Sequence, residues 1–239
     1  MTSLRLASLA LAVPALALAA ACGGGASKTP TAIPTLTAPQ AEQKLKQVVL
    51  QASDIGDGFT QSARRALTNS QAAQARPDTA QALRQYAAWG QILAYNVQYS
   101  APPSPALVFN ANTARVTNTA TLFNAAAGAA AALAYARDLP SQTVANFLLN
   151  DGAGTKISDT QVVKDLNFPA VGDESFAWRL SGKATFQNGF SVDFVADAVF
   201  VRVGRIDGNV VTLALGAAPR RDQLDALVQT FVRRARAAQ

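Results

Sequence analysis

Carboxylates are the side chains in this sequence that could do acid–base or metal chemistry. The 239-residue chain has no histidine, one cysteine (Cys22), and a single methionine, the first residue. Without imidazole there is no ordinary general base and no common ligand for zinc, copper or haem iron. The composition therefore excludes Ser-His-Asp and zinc chemistry, and it leaves carboxylate catalysis or a hard cation such as calcium.

Asp193 and Asp197 are the first carboxylate pair to consider, because both fall in the longest predicted strand. Four residues at ~3.3 Å each separate them by ~13 Å on one face of that strand. Two carboxylates that act on one bond must lie closer together than this. We therefore predict that both side chains face solvent.

Two other acidic pairs have spacings that suggest turns. Asp54 and Asp57 could begin a calcium loop, but the bidentate glutamate required at its twelfth position is replaced by Arg65. Asp173 and Glu174 are the densest acidic spot and are predicted as a loop or strand entry, with a functional loop as the alternative. We expect no metal site, no cofactor and no enzymatic activity.

The first 21 residues have the organisation of a secretory signal peptide. Arg5 gives a positive start, and residues 6–21 form an apolar run rich in alanine and leucine. This run is shorter than the ~20 residues that a transmembrane helix needs. It ends in small residues, as signal peptides do before their cleavage site. The sequence therefore predicts export from the cytoplasm.

Residues 19–22 (AAAC) resemble the lipobox of bacterial lipoproteins. In that family a dedicated peptidase cuts before the cysteine, whose thiol is diacylated. Ala19 stands where the family prefers leucine, and ordinary cleavage after the A-x-A of residues 19–21 is the alternative. The resemblance implies lipid on Cys22. Two or three acyl chains would then anchor the protein stably to the outer face of a bacterial membrane.

Composition divides the rest of the chain into a tether and one domain. Residues 22–40 carry the cysteine and then a Gly-, Pro- and Thr-rich segment, and residues 41–239 are predicted to form a single globular domain. The chain is 49% hydrophobic and has a net charge of +6. In an exported protein this basic balance favours anionic lipid or cell-wall polymer over nucleic acid as a partner.

Helical signals occur near both ends and in the middle of the domain. One predicted helix begins at the capping pair Thr37 and Gln40, and a second runs from Asp78 to Gly90. Three more predicted helices cover residues 124–139, 141–149 and 219–238. The segment 124–139 is alanine-rich, so it can form a helix that lies close to a sheet. Residues 64–76 show no clear period and are predicted as a loop.

Strand signals dominate the remaining segments. Alternating patterns cover residues 93–99, 116–123, 160–166, 175–180, 190–203 and 210–215. The even positions from Phe190 to Phe200 are predicted to face a core, and Asp207-Gly208 is predicted as a hairpin turn. The order of elements predicts an α+β fold, with one antiparallel sheet and helices packed on it.

Three short segments carry a second resemblance. Residues 50–59 (LQASDIGDGF), 171–175 (VGDES) and 205–213 (RIDGNVVTL) resemble segments of exported bacterial lipoproteins and sensor-type ectodomains. The shared residues form turns, so the resemblance implies a fold and defines no catalytic residue.

Aromatic and basic residues supply the candidate binding sites. Trp89, Tyr95, Tyr99 and Trp178 could line a ligand cleft, although core packing is the alternative. Arg233, Arg234 and Arg236 end the last predicted helix, where cations complement the helix dipole. The functional alternative for these arginines is contact with anionic lipid head groups.

Together these features predict a lipid-anchored, extracytoplasmic binding or sensor-type lipoprotein that is not an enzyme, with a ligand the sequence does not identify. The alternative is a structural or assembly lipoprotein that acts through protein–protein contact in the cell envelope. An enzyme that uses carboxylates alone is a third hypothesis, and it lacks an acid pair with workable spacing.

Overall fold

The computed structural model describes residues 36–102, 113–149, 156–164 and 166–239, without the side chains of 146–149. The predicted signal peptide, Cys22 and most of the predicted tether lie outside these residues. The helices are α1 (Ala38–Val48), α2 (Ala52–Ile55), α3 (Asn69–Gln74), α4 (Thr79–Trp89), α5 (Ala126–Arg137), α6 (Ser141–Leu149) and α7 (Arg221–Ala237). The strands are β1 (Thr60–Leu67), β2 (Gln91–Ser100), β3 (Thr113–Phe123), β4 (Lys156–Val163), β5 (Glu174–Thr185), β6 (Ser191–Val203) and β7 (Ile206–Leu215).

The strands form one seven-stranded sheet in the order β1-β2-β3-β7-β6-β5-β4. Every neighbouring pair is antiparallel. The predicted α+β class, a single antiparallel sheet with helices packed on it, is confirmed. Among the described residues, no helix combines the length and the apolar character needed to cross a bilayer.

Both faces of the sheet are covered by helices. Apolar residues of α1 and α7 pack on one face, called here the α1/α7 face, against side chains such as Val199 and Val201 of β6. Residues of α5 and α6 pack on the other, the α5/α6 face, against Phe194 and Phe200 of the same strand. Because successive side chains of a strand point to opposite faces, β6 contributes to both cores.

The helix ends follow the sequence signals. Thr37 N–H donates to Gln40 Oε1 at 2.9 Å, so the predicted capping pair begins α1. This start precedes the predicted domain boundary at residue 41, and Ala41 is already buried. Asp78 Oδ1 likewise accepts from Gln81 N–H at 2.8 Å at the start of α4.

Residues 64–76 are regular structure, and their prediction as a loop was wrong. They contribute the second half of β1 and all of α3. β1 lies at the edge of the sheet with mostly exposed side chains, so it shows no apolar alternation. Its backbone pairing with β2 holds it in place.

The predicted turn at Asp207-Gly208 was also wrong, because both residues lie inside β7. The chain reverses at Gly204 and Arg205 instead. Gly208 is a site of close packing: a Cβ there would lie 2.2 Å from Phe231 Cζ and 2.7 Å from Thr119 O. The glycine therefore lets α7 approach the sheet.

The prediction that Asp193 and Asp197 both face solvent holds for only one of them. The Asp193 side chain is 76% exposed, whereas that of Asp197 is 1% exposed. Asp197 lies where β6 is covered on both faces, and it is paired there with Arg179 of β5. The two aspartates therefore have different environments on one strand.

Candidate ligand-binding groove

The four aromatic residues predicted to line a cleft do not meet in one place. Tyr95 and Tyr99 are buried on the α1/α7 face, and Trp178 is buried on the α5/α6 face. Trp89 ends α4 and packs between Tyr86 and Tyr135, with ring centroids 6.1 and 5.3 Å away. Ligand binding by any one of them stays a prediction.

Both buried tyrosines are tied to the protein through their hydroxyl groups. Tyr95 Oη accepts from Arg64 Nε at 2.9 Å, and Tyr99 Oη donates to Leu50 O at 3.0 Å. Burial raises the pKa of Tyr99 above its ordinary value. The first contact joins β1 to β2, and the second joins the segment after α1 to β2.

A concave surface that includes none of these four aromatic residues lies at the start of β5. It is a groove of about 420 Å³, lined by Arg137, Leu166, Asn167, Phe168, Ala170, Ser175, Phe176 and Ala177. Leu166 N–H still donates to Ala177 O at 2.9 Å, in the manner of a β4 continuation. In the segment that follows, Asn167, Phe168 and Ala170 also belong to the lining.

Arg137 is the charged residue of the groove lining. It occupies the last turn of α5, where a cation complements the helix dipole. Its guanidinium carbon lies 5.1 Å from the centroid of the Phe176 ring, within the range of a cation–π contact. Its Nη2 atom is 3.2 Å from Glu174 Oε1 and 3.4 Å from Ser175 O. The guanidinium is held in a defined position, yet the side chain remains 39% exposed.

Glu174 connects Arg137 to a second arginine. Its other oxygen, Oε2, lies 3.7 Å from Arg202 Nε, and Arg202 Nη1 is 3.3 Å from Asp173 Oδ2. Asp173 Oδ2 also accepts from Gly204 N–H at 2.7 Å. The predicted acidic spot is therefore part of a chain of alternating charges beside the groove, and both of its carboxylates have ion-pair partners.

Asp207 completes a row of charged residues across the sheet. The register places Glu174, Arg202 and Asp207 opposite one another on β5, β6 and β7. Asp207 is 8% exposed, and burial raises its pKa to about 8 despite the opposing effect of Arg202. Within the described residues its Oδ1 atom has no hydrogen-bond partner. At neutral pH this carboxyl group is therefore mainly protonated.

Two buried aromatic rings pack against Phe176. Phe176 stacks on Phe200 at 4.7 Å, and Trp178 lies 5.0 and 4.8 Å from those two rings. Lys164 Nζ lies 5.7 Å from the Trp178 ring and donates to the backbone carbonyls of Arg137 and Leu139. The rings and the lysine together hold the end of α5 and the Phe176 side chain in place.

The Phe168 ring of the lining also lies against a cation, Arg221. The guanidinium carbon of Arg221 lies 4.8 Å from the Phe168 ring centroid. Arg221 also donates to the carbonyl of Asn167. Arg221 thus lies against Phe168, which packs on the α1/α7 core, and Arg137 lies against Phe176, which packs on the α5/α6 core.

The three C-terminal arginines have different environments. Arg234 Nη1 is 2.8 Å from Asp54 Oδ2 and 2.7 Å from Val49 O, so this residue ties α7 to the end of α1 and to α2. Arg233 and Arg236 are exposed. Asp54 therefore acts in a helix turn and an ion pair. The described residues contain no group of three or more acidic or cysteine side chains able to hold a metal ion.

The comparisons with known proteins give one structural similarity. No protein-family model matches this chain, and no curated protein sequence matches it. Among solved structures, the extracellular domain of PknH from Mycobacterium tuberculosis is similar, with a TM-score of 0.47 and 10% sequence identity. The match covers 82% of this chain and 96% of that chain. Identity at this level assigns no residue of that domain to a position here.

Proposed function

We propose that this chain is an exported, lipid-anchored protein whose domain binds a ligand in the groove beside Arg137 and does not act as an enzyme. The groove is the observation that carries the proposal. Ligand sites are concave and largely apolar, with a few fixed polar groups that set orientation. Leu166, Phe168 and Ala170 supply apolar surface beside polar groups of the lining, and Arg137 supplies a fixed charge.

The charges around the groove favour binding over catalysis. Glu174 and Asp173 are both engaged with arginines, and none of the described lining residues carries a carboxyl group. A general base needs a carboxylate or imidazole within reach of the substrate proton. The groove offers a cation and ring faces, which can hold a ligand but cannot take up a proton.

Native mass spectrometry of the full chain, exported by its own host and purified, tests the binding proposal. A non-covalent adduct of constant mass that disappears on denaturation supports it. Phe168→Ala should lose this adduct, because it removes part of the apolar lining of the groove. Leu83→Ala, at an exposed position on α4, is the matched control and should keep the adduct. A clean protein mass across several preparations would overturn the proposal.

The denatured spectrum of the same samples tests the anchor. We propose that the mature chain begins at Cys22 and carries two or three acyl chains, as the lipobox resemblance implies. Cys22→Ala should abolish the added lipid mass and release the protein from the membrane fraction. An unmodified chain that begins at residue 22 would instead indicate ordinary secretory cleavage.

We also propose that Arg233 and Arg236 contact anionic head groups once the protein is anchored. Each basic residue near such a surface contributes ~1 kcal/mol. A signal-cleaved Cys22→Ala protein should therefore bind anionic vesicles at low salt. Replacing Arg233 and Arg236 by glutamine should abolish that binding. Arg234 is left out of this contact because Asp54 and the Val49 carbonyl already hold it.

A structural or assembly role in the envelope remains the second candidate. The observation that favours it is the exposure of two large apolar side chains, Val163 at 53% and Phe190 at 51%. Exposed apolar surface is typical of protein–protein contact sites. Cross-linking in cells from position 190 should capture an envelope protein, and Phe190→Ser should reduce the yield while leaving any groove adduct intact.

A further inference from the structure

We infer that the ligand of the groove is a small carboxylic acid with a flat or extended apolar body, whose carboxylate pairs with Arg137. This inference rests on the proposed binding function and adds the chemical class of the ligand. Three features support it: the geometry of the Arg137 guanidinium, the balance of charge around the groove, and the apolar residues of the groove lining.

The stacking of Arg137 on Phe176 determines how it can bind a ligand. A guanidinium is planar and has five N–H donors in that plane. Both of its contacts to Glu174 and Ser175 use the Nη2 nitrogen, so the group carries donors beyond these two contacts. A guanidinium recognises carboxylates with two parallel hydrogen bonds. A phosphate can bind in the same way, but a single guanidinium that already pairs with Glu174 matches the one charge of a carboxylate better than the nearly two charges of a phosphate monoester.

Charge around the groove favours an anionic ligand. Arg137 and Arg202 are balanced by Glu174 and Asp173 in the chain of ion pairs. Lys164 and Arg221 add positive charge near the lining, and each contacts an aromatic ring and a backbone carbonyl. Asp207, the nearby buried carboxyl group, is not part of the lining.

The apolar body of the ligand is inferred from the lining. Phe168, Leu166 and Ala170 supply the apolar lining, whereas Phe176 is 7% exposed and its ring lies between Phe200 and Arg137. A volume of about 420 Å³ admits a bicyclic aromatic acid or a medium-chain aliphatic acid, and it is at the small end of the range for ligand sites. The acid and the apolar body are both needed to match this surface.

Two matched pairs of probes separate these requirements. We would titrate 2-naphthoate and 2-naphthol, then decanoate and decan-1-ol, into the mature chain carrying Cys22→Ala, by isothermal calorimetry. We expect at least one acid to bind about tenfold or more tightly than its alcohol, because a hydrogen bond between charged groups is stronger than one to a neutral hydroxyl. The pair that binds shows whether the body is aromatic or aliphatic.

Substitutions at Arg137 locate the acid preference. Arg137→Gln should remove the difference between acid and alcohol, and Arg137→Lys should leave it reduced because lysine lacks the planar fork. Arg84→Gln, at an exposed arginine on α4, should leave it unchanged. Melting temperatures of all three variants show whether the folded state is retained. If Arg137→Gln unfolds the protein, the Arg137→Lys result decides.

The outcomes distinguish this inference from the binding proposal. Equal binding of acid and alcohol, with the binding lost in Phe168→Ala, would overturn the acid class while supporting the groove. An acid preference that survives Arg137→Gln would overturn the role of Arg137. A peptide with a hydrophobic C-terminal residue that binds better than all four probes would replace the small acid as ligand.

Discussion

Arg179 of β5 and Asp197 of β6 lie opposite each other and form a bidentate ion pair. Arg179 Nε donates to Asp197 Oδ1 and Arg179 Nη2 donates to Asp197 Oδ2, both at 2.7 Å. The hydrogen bonds from this pair raise the pKa of Arg179. The carboxylate side is buried, whereas the guanidinium side chain is 33% exposed. Arg179 therefore compensates the charge of the buried Asp197 carboxylate, and the Arg179 side chain itself remains partly in contact with water.

Asp197→Asn should lower the free energy of unfolding by about 3 kcal/mol. Breaking a buried pair costs about 3–5 kcal/mol, and the exposed side of Arg179 places this case at the low end. Urea unfolding measures the change. Asp193→Asn on the same strand is the control and should stay within about 0.5 kcal/mol of the parent. Equal effects of the two substitutions would show that Asp197 is not a buried ionic partner.

The error at Asp197 shows what a local pattern leaves out. The even positions from Val192 to Phe200 were correctly predicted to face a core, whereas the prediction was wrong for Phe190, which precedes β6 and is 51% exposed. The odd positions Val195, Val199, Val201 and Val203 are also apolar, which is the pattern of a strand that is covered on both faces. A charged residue among them needs a partner, and that partner is on another strand.

The groove was missed for a related reason. The sequence predicted the alanine-rich helix that ends near Arg137 and the strand that contains Phe176. It did not show that α5 crosses the sheet and brings these two side chains together. The predicted aromatic set failed to converge because Tyr95 and Trp178 face opposite sides of the sheet. Caps and amphipathic helices depend on neighbours in sequence, whereas this site depends on packing.

Tyr99→Phe should lower the free energy of unfolding by about 1 kcal/mol. The hydroxyl donates to Leu50 O, and its loss leaves that buried carbonyl with one partner fewer. Asn118→Leu should cost more, because Asn118 accepts from Leu50 N–H at 2.9 Å and donates to Asn209 O at 2.8 Å. Tyr135→Phe, at a more exposed hydroxyl, is the control. Loss of a native-state adduct in Tyr99→Phe with unchanged stability would instead favour a ligand role for Tyr99.

Gly128→Ala should destabilise the protein although it places a better helix former within α5. Helix propensity alone predicts a gain of about 1 kcal/mol. The structure predicts a loss of about 1–3 kcal/mol, because a Cβ at this position would lie 1.8 Å from Trp89 O. Ala127→Gly, at an exposed neighbouring position, should cost only the propensity difference. Thermal unfolding of both variants gives the comparison, and a more stable Gly128→Ala would contradict the close contact of α4 and α5.

Asp207 should make stability depend on pH in a range where few groups titrate. Its pKa rises from 3.8 to about 8 in the folded state because of burial, with Arg202 lowering it and Glu174 raising it. The folded state therefore holds a proton that the unfolded state releases above pH 4, so the free energy of unfolding falls between about pH 4 and pH 8. The slope from one proton is at most about 1.4 kcal/mol per pH unit.

Asp207→Asn should remove this slope and leave the variant more stable than the parent at pH 8, since an amide stays neutral. The chain has no histidine, so a slope between pH 5.5 and pH 7 has no imidazole contribution. Urea unfolding at half-unit pH intervals measures it, with Asp193→Asn as the control that should keep the parental slope. Parallel pH profiles for the parent and Asp207→Asn would show that Asp207 is ionised in the folded protein. Arg202 would then have to balance the buried Asp207 carboxylate in addition to Glu174.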